Sequence, residues 1–125
     1  MNDTHGLPYW SELMTPDVAK ARALYAELCG WTYEEVPMPD GSTYVLAMRG
    51  GQPVAGMMDI SGSGGSARWM TYFAVADVDA AVASSVAQGS TLTGDIFDVP
   101  GTGRIAMLID PTGAEVGLMT PEAMD

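Results

Sequence analysis

The sequence is poor in the residues that form disulfides and metal sites. Among its 125 residues are one cysteine, Cys29, and one histidine, His5. A single cysteine excludes a disulfide within the chain, which fits a reducing cytoplasm. A single histidine excludes a two-histidine metal site within one subunit. We expect Cys29 to be a small buried apolar residue and His5 to be a mobile residue near the terminus.

Positive charge is equally scarce, with five lysines and arginines against sixteen acids and a formal net charge of −11. Such a chain repels the phosphates of nucleic acids and anionic membranes, so neither is expected as a partner. No apolar run approaches the roughly 18 residues of a membrane span. The first ten residues contain neither a basic patch nor an apolar block, so no secretory signal is expected. Together these absences predict a cytoplasmic protein.

The sequence does contain clear signals for two helices. The first is expected to start at Thr15 as N-cap and to end at Gly30 in the left-handed conformation. The second is expected to be capped by Asp77 and to end at Gly89. The apolar or small residues that recur at helical spacing are Val18, Ala21, Leu24, Tyr25 and Leu28 in the first helix and Val78, Ala81, Val82 and Ser85 in the second.

Strand signals fill the remainder. Alternating stretches flank Gly50 and Gly51, which predicts a hairpin, and a second hairpin is expected around residues 111–113. One strand is expected over residues 90–99. The order strand, helix and three strands therefore occurs twice, as module 1 (about 8–60) and module 2 (about 67–120), joined by the linker 61–66.

The two modules also align weakly, since Asp17 and Val18 fall on Asp77 and Val78, sixty positions later. Each module would form a small sheet with a helix on one face, which leaves the other apolar face to be covered. The sequence predicts an α+β fold in which two βαβββ modules form a curled mixed sheet around a cavity, with the helices outside. The side chains of Trp10, Glu12 and Met14 would face that cavity.

Three stretches give the chain a family resemblance. They are ELMTPDVAKARALYAELCGW, YFAVADVDAAVASSVAQG and GRIAMLIDPTGAEVGLM, and with the order of elements they cover roughly residues 8–120. The chain resembles the vicinal oxygen chelate superfamily, which includes glyoxalase I, bleomycin-resistance proteins and extradiol dioxygenases. The resemblance implies four cavity-facing positions that hold a metal ion in metal-using members, and here they read Trp10, Gly56, Met70 and Gly117.

None of these four residues provides the histidine or carboxylate that a catalytic metal needs, so no metal and no cofactor are expected. A site of carboxylates alone, from Glu12, Asp59 and Glu115, remains open. Strand glycines often mark positions where another group approaches the backbone closely. We therefore predict a pocket for a small hydrophobic or aromatic ligand; the alternative is that the same residues simply fill the core. Its candidate ligand-binding residues are Trp10, Glu12, Met14, Gly56, Met58, Trp69, Met70, Tyr72, Arg104, Gly117 and Met119.

Glu12 is the candidate catalytic residue. A lone carboxylate in an apolar cavity is costly, so it should pair with a base, for which Arg104 is the candidate, or take a raised pKa. Functionally, Glu12 could bind a cationic group or act as a general base. It could equally be a salt-bridged strand residue near the rim.

Three functions remain open from the sequence. The first is metal-independent binding of an antibiotic-like or metabolite molecule, as in bleomycin-resistance proteins. The second is a lyase, isomerase or dioxygenase with a displaced metal site or with acid–base chemistry at Glu12. The third is a module that only dimerises, and a homodimer is expected in any case. The segment 110–113 is interpreted as a turn. The loop 100–104 contains glycines but no helix follows it, which argues against a phosphate-binding loop, and a mobile flap at the cavity mouth is the alternative.

Overall fold

The computed structural model describes residues 4–38, 41–99 and 102–122. Within them the chain forms two helices and nine strands, and the α+β fold class is confirmed. The contacts divide the chain into two compact units, the first unit (residues 10–70) and the second unit (residues 1–9 with 71–125). The linker and module boundaries expected from the repeat stay a prediction.

The first unit holds one helix and four strands. They are β1 (Pro8–Thr15), α1 (Val18–Cys29), β2 (Thr32–Pro37), β3 (Thr43–Arg49) and β4 (Gln52–Asp59). The strands lie in the order β2-β3-β4-β1; β1 is parallel to β4 and the other pairs are antiparallel. The hairpin between β3 and β4 is confirmed. Gly50 and Gly51 make its turn with φ of 59° and 80°, a conformation that glycine adopts without strain.

The second unit repeats this plan. Its elements are β5 (Arg68–Ala74), α2 (Val78–Ala87), β6 (Thr91–Leu92), β7 (Phe97–Val99), β8 (Gly103–Ile109) and β9 (Glu115–Pro121). The first three residues of β5 are counted with the first unit, and the first two of β1 with the second. The order is β5-β9-β8-β6, with β7 also paired to β8 and β5 parallel to β9. The single strand predicted over residues 90–99 is wrong, because Gly94, at φ 97°, interrupts it and leaves the short strands β6 and β7.

Each helix packs on one face of its own sheet. In the first unit Leu13, Val45 and Met57 form a buried cluster against the helix. In the second unit Val78 and Val82 of α2 pack on Ala106 and Leu108, as their spacing predicted. These clusters fix which face of each strand is turned away from its helix, and therefore where the remaining side chains point. Of the helices in the described ranges, none is long and apolar enough to cross a membrane.

Three expectations for α1 are wrong. The N-cap is Asp17, whose side chain accepts a hydrogen bond from the Lys20 amide, while the Thr15 hydroxyl accepts one from the Asp17 amide. Leu24 and Leu28, expected in the apolar face, are 49% and 65% exposed. Cys29, expected to be buried, is also exposed.

Two of the other helix ends follow the sequence, whereas α2 has Gln88 as its C-cap, one residue before the expected Gly89. Asp77 caps α2 by accepting a hydrogen bond from the Ala80 amide, and Gly30 ends α1 with φ of 71°. Leu24 and Leu28 are exposed because the contact between α1 and the sheet is narrow. Val18, Ala21 and Tyr25 already cover the buried cluster, and the ring of Trp31 packs beside them, so no sheet surface remains for Leu24 and Leu28.

Candidate functional site

A hydrogen-bonded row of three side chains lies on the face of the first unit that is turned away from α1. The indole N–H of Trp10 donates to the hydroxyl oxygen of Tyr44 at 3.0 Å. The Tyr44 hydroxyl in turn donates to Oε1 of Glu12 at 2.8 Å. Glu12 is only 6% exposed. A buried carboxylate that accepts a hydrogen bond from a hydroxyl costs less free energy than an isolated one, because the bond offsets part of the desolvation cost.

The position of Tyr44 depends on a glycine. Gly56 lies opposite Glu12 in the parallel pair of β1 and β4. A Cβ atom at Gly56 would overlap the hydroxyl and ring atoms of Tyr44. The missing side chain therefore makes the room in which the Tyr44 ring lies, and it brings the phenol oxygen between Trp10 and Glu12.

Two methionines border this row on the same face. Met14 follows Glu12 by two residues and is buried, and it lies opposite Met58 in the parallel pair. Met58 is also the antiparallel partner of Tyr44. The surface beside the carboxylate is therefore apolar and polarisable, and flexible thioether side chains of this kind adapt to irregular apolar shapes.

The corresponding face of the second unit is built differently. Tyr72 lies opposite Gly117 in the parallel pair of β5 and β9, and a Cβ atom at Gly117 would overlap the Tyr72 ring. Tyr72 and Met119 are both buried. The groups that approach the two strand glycines most closely are thus tyrosine rings of the chain itself. Met70, which precedes Tyr72 by two residues, is buried as well.

Trp69 does not belong to the row. Its indole N–H donates to the Tyr25 hydroxyl at 3.1 Å, and its ring lies edge-on to the rings of Tyr25 and Trp31. Tyr25 belongs to α1, so Trp69 is on the helix side of the sheet. Its expected place among the pocket residues is wrong, because neighbouring residues of a strand point to opposite faces.

The expected pairing of Arg104 with Glu12 is also wrong. The Arg104 guanidinium binds both carboxylate oxygens of Asp79, at 2.8 and 3.1 Å, and one of Asp98 at 3.1 Å. The hydrogen bond to Arg104 lowers the pKa of Asp79 below its usual range. Arg104 therefore ties α2 to the β7–β8 hairpin, and Tyr44 supplies the hydrogen bond that Glu12 was expected to receive.

The carboxylate site that the sequence left open is not assembled within the described residues. Glu12 is buried, whereas Asp59 and Glu115 are exposed. The Asp59 carboxylate accepts a hydrogen bond from the Ser61 amide at 2.8 Å, and this bond lowers the pKa of Asp59. Over the described ranges, no group of three or more histidine, cysteine, aspartate or glutamate side chains is placed to hold a metal ion.

Two of the four positions that the family resemblance assigns to metal ligands do not fit a metal. The indole of Trp10 is a donor only and already donates to Tyr44. At Gly56 the space that a ligand side chain would occupy is taken by the Tyr44 ring. The Trp10 position therefore holds a hydrogen-bond donor, and the Gly56 position is filled by a tyrosine ring.

The segments 110–113 and 100–104 were singled out in the sequence, and the first of them is a hydrogen-bonded turn. Oδ1 of Asp110 accepts hydrogen bonds from the Thr112 hydroxyl at 2.6 Å, the Thr112 amide at 2.8 Å and the Ala114 amide at 3.0 Å. The turn interpretation of this segment is confirmed. In the 100–104 loop, Pro100 and Gly101 lie outside the described residues, and Gly103 already belongs to β8.

Tyr44 was missed because the strand register is irregular. Counting outward from the turn, where Arg49 pairs with Gln52, would place Val45 opposite Gly56. A register shift between Ala47 and Met48 instead places Leu46 there, so that Tyr44 lies on the face of Gly56. A β-bulge of this kind reverses which side chains share a face, and nothing in the local sequence announces it.

Comparison with known proteins begins with the sequence. Residues 9–118 match the family described as the Glyoxalase/Bleomycin resistance protein/Dioxygenase superfamily. The mycobacterial protein named "Putative glyoxylase CFP32", from Mycobacterium tuberculosis, is 38% identical over 117 residues, which cover 90% of this chain and 45% of the relative. The anthracycline biosynthesis protein DnrV of Streptomyces peucetius is 31% identical over 134 residues, which cover 96% and 49%. The chain thus spans about half the length of these curated relatives.

Solved structures give the same fold at low identity. A methylmalonyl-CoA epimerase in complex with methylmalonyl-CoA and ammonium superposes with a TM-score of 0.71 at 16% identity, over 97% of this chain and 98% of that one. The methylmalonyl-CoA epimerase of Mycobacterium tuberculosis gives 0.67 at 16% identity, over 98% and 93%. At this identity the likeness establishes the fold alone. The sequence match over nearly the whole chain shows that this protein belongs to the glyoxalase/bleomycin resistance protein/dioxygenase superfamily.

Proposed function

We propose that the chain binds a small hydrophobic or aromatic molecule, without a metal ion, on the sheet face that carries Trp10, Glu12 and Tyr44. The single observation behind this proposal is the hydrogen-bonded row in which Tyr44 is seated on Gly56 between an indole and a buried carboxylate. Binding sites for small molecules are mainly apolar, with a few fixed polar groups that set orientation. The methionines beside the row provide the apolar part.

Two residues at the expected ligand positions support the metal-free part of the proposal. Trp10 has no lone pair to offer a metal, and the Tyr44 ring fills the space at Gly56. The same two residues suit an aromatic ligand, since an indole offers a flat face and an orienting N–H group. The expected homodimer and the cytoplasmic location are parts of the same proposal.

The relatives favour one ligand chemistry within this class. A Streptomyces relative is named for anthracycline biosynthesis, and anthracyclines are planar polycyclic aromatic compounds. Flat aromatic faces stack well on tryptophan and tyrosine rings. A planar polycyclic molecule is therefore the first probe to try.

A second function, an enzyme of the superfamily that is a lyase or isomerase, is favoured by the state of Glu12. This carboxylate is buried and accepts a hydrogen bond from the Tyr44 hydroxyl. A carboxylate oriented in this way can take a proton from a bound substrate, which is general-base catalysis. In such an enzyme Tyr44 would be a positioning residue, because it acts through Glu12.

The test uses tryptophan fluorescence. The chain has three tryptophans, so the double variant W31F/W69F leaves Trp10 as the only one. Titration of this variant with an anthracycline aglycone should quench Trp10 saturably with 1:1 stoichiometry. Tyr44→Phe in the same background should weaken binding roughly tenfold, because the orienting hydroxyl is lost. The matched control Tyr25→Phe removes a hydroxyl on the helix side and should leave binding unchanged.

The outcomes separate the alternatives. Saturable quenching that is unaffected by Glu12→Gln, with no turnover of the probe, would support binding and remove the catalytic role of Glu12. One equivalent of a transition metal in native mass spectra of untagged protein would overturn the metal-free proposal. Absence of quenching across a panel of planar aromatic probes would overturn the binding proposal.

A further inference from the structure

A groove of about 390 Å³ lies beside α2 in the second unit, and the proposed function makes no use of it. This volume lies within the range of small-molecule sites. Its lining combines apolar side chains with hydroxyl, amide and imidazole groups. The lining residues are His5, Val75, Ala81, Ser84, Ser85, Gln88, Ser90, Pro111 and Leu118.

The histidine of the groove is held in place. Nδ1 of His5 accepts a hydrogen bond from the Ala76 amide at 2.9 Å. The neighbouring backbone is paired as well, since the Gly6 amide donates to the Ala74 carbonyl at 2.7 Å and the Ala74 amide donates to the Leu7 carbonyl at 3.0 Å. The expectation that His5 is a mobile terminal residue is therefore wrong. An imidazole whose Nδ1 accepts a hydrogen bond carries its proton on Nε2, which is then a donor.

The remaining polar groups are linked in pairs that leave hydrogen-bonding capacity for a ligand. Nε2 of Gln88 donates to the Ser84 hydroxyl at 3.2 Å, and the Ser85 hydroxyl donates to that of Ser90 at 2.6 Å. Ser90 is 7% exposed. A hydroxyl that accepts one bond still has its own proton to donate, and the second amide proton and the carbonyl oxygen of Gln88 complete a mixed set of donors and acceptors.

These polar residues distinguish the second unit from the first. The positions sixty residues before Ser84 and Gln88 are Leu24 and Leu28, which are exposed on α1. The equivalent stretch of α1 therefore presents leucines where α2 presents a hydrogen-bonded serine and glutamine. The polar lining belongs to this module and is not a general feature of the repeat.

The lining of the groove beside α2 contains few charged groups, which favours an uncharged ligand. Of the described residues that line it, His5 is the only one that can carry a charge. A second groove of the same unit, of about 380 Å³, differs in charge, because its lining includes Asp98, Arg104 and Glu122. Within that groove the Arg104 guanidinium already pairs with the Asp98 carboxylate. Ser84, Ser85 and Gln88 also lie at the C-terminal end of α2, where the helix dipole disfavours anions.

We propose that the groove beside α2 is a binding site for an uncharged polyol of monosaccharide size. The ligand hydroxyls would bond to Ser84, Gln88 and Ser90 and to Nε2 of His5, and the apolar face of its ring would lie on Pro111 and Leu118. Uncharged groups that both donate and accept, beside apolar side chains, match the alternating C–H and O–H surface of a sugar ring.

The experiment is a titration of the ¹⁵N-labelled protein with D-glucose, followed by amide chemical shifts. We expect saturable shifts at Ala76 and Ser90 with a millimolar Kd. Gln88→Ala should raise Kd roughly fivefold, since about one hydrogen bond is lost. Gln52→Ala, at the exposed start of β4, is the matched control and should leave Kd unchanged. Ser84→Ala provides the same test if Gln88→Ala does not fold.

D-Glucuronate has the same ring with a carboxylate, and it should bind more weakly than glucose. Tighter binding of glucuronate would overturn the uncharged class, and the absence of saturable shifts with D-glucose would overturn the site. Because the groove is separate from the row around Glu12, its failure leaves the proposed function standing. Quenching of Trp10 by an aromatic probe tests only that row.

Discussion

The two units use the same strand position for different chemistry. In the first unit Glu12 of β1 lies opposite Gly56, and a tyrosine from the neighbouring strand covers that glycine. In the second unit the residue opposite Gly117 is itself the covering tyrosine, Tyr72. The first arrangement leaves a carboxylate beside a phenol, whereas the second places a ring in the corresponding position. The comparison shows how a repeated fold can carry a carboxylate in one module and an aromatic ring in the other at the same strand position.

Of the variants that compare the two units, Gly117→Ala should have the largest effect. The added methyl would overlap the Tyr72 ring, which is 4% exposed and has little room to move. Overpacking of this kind should lower the free energy of unfolding by about 2–3 kcal/mol, measured by urea denaturation. Gly56→Ala should cost less, about 1 kcal/mol, because Tyr44 is only half-buried and can turn outward. Gly62→Ala, whose Cβ would meet no atom within 4 Å, is the control. Equal losses at the two glycines would contradict the comparison.

Removal of the Tyr44 hydroxyl comes next. Tyr44→Phe deletes the bond from Trp10 and the bond to the buried carboxylate, so it should cost about 2 kcal/mol. Tyr25→Phe deletes one bond from the exposed Trp69 and should cost less than about 1 kcal/mol. Both variants are measured by urea denaturation. A larger loss for Tyr25→Phe would mean that the row on the first unit is not a rigid feature.

The helices, the hairpins and one face of the site were predictable from the sequence. Tyr44, the residue that joins Trp10 to Glu12, was not. Helix caps at Asp77 and Gly30 and glycine turns are local signals, so both hairpins and both helices were predictable. Alternation along β1 correctly placed Trp10 and Glu12 together, because strand alternation is strict. Tyr44 could not be found because its face depends on a register shift in β3, which is a property of the paired strands.

Exchange of the two exposed leucines tests the contrast between the helices. The variant L24S/L28Q gives α1 the residues that α2 carries at the equivalent positions. Because Leu24 and Leu28 are exposed, the free energy of unfolding should change by no more than about 0.5 kcal/mol. Leu13→Ala, in the buried cluster beneath α1, should cost about 2–4 kcal/mol in the same assay. A comparable loss for the exposed pair would place these leucines in a packed contact.

The smallest effect is a pH dependence that differs between two turns. The Thr112 hydroxyl, with the Ala114 and Thr112 amides, holds the pKa of Asp110 below its usual range. A carboxyl whose pKa is lowered by folding contributes stability above the usual aspartate range and loses that contribution as the pH falls through the lowered pKa. Asp110→Asn should therefore lose less stability than the wild type between about pH 5 and pH 2, measured by thermal unfolding.

Asp59→Asn is the matched variant in the first unit, where the Ser61 amide is the main group that lowers the pKa of Asp59. Asp110 accepts bonds from three donors, the Thr112 hydroxyl and the two amides, and the carboxylate is stabilised by each of them. The acid sensitivity of the protein should therefore fall more in Asp110→Asn than in Asp59→Asn. Equal sensitivity in the two variants would show that the turn of the second unit is no more dependent on its ionised aspartate than that of the first.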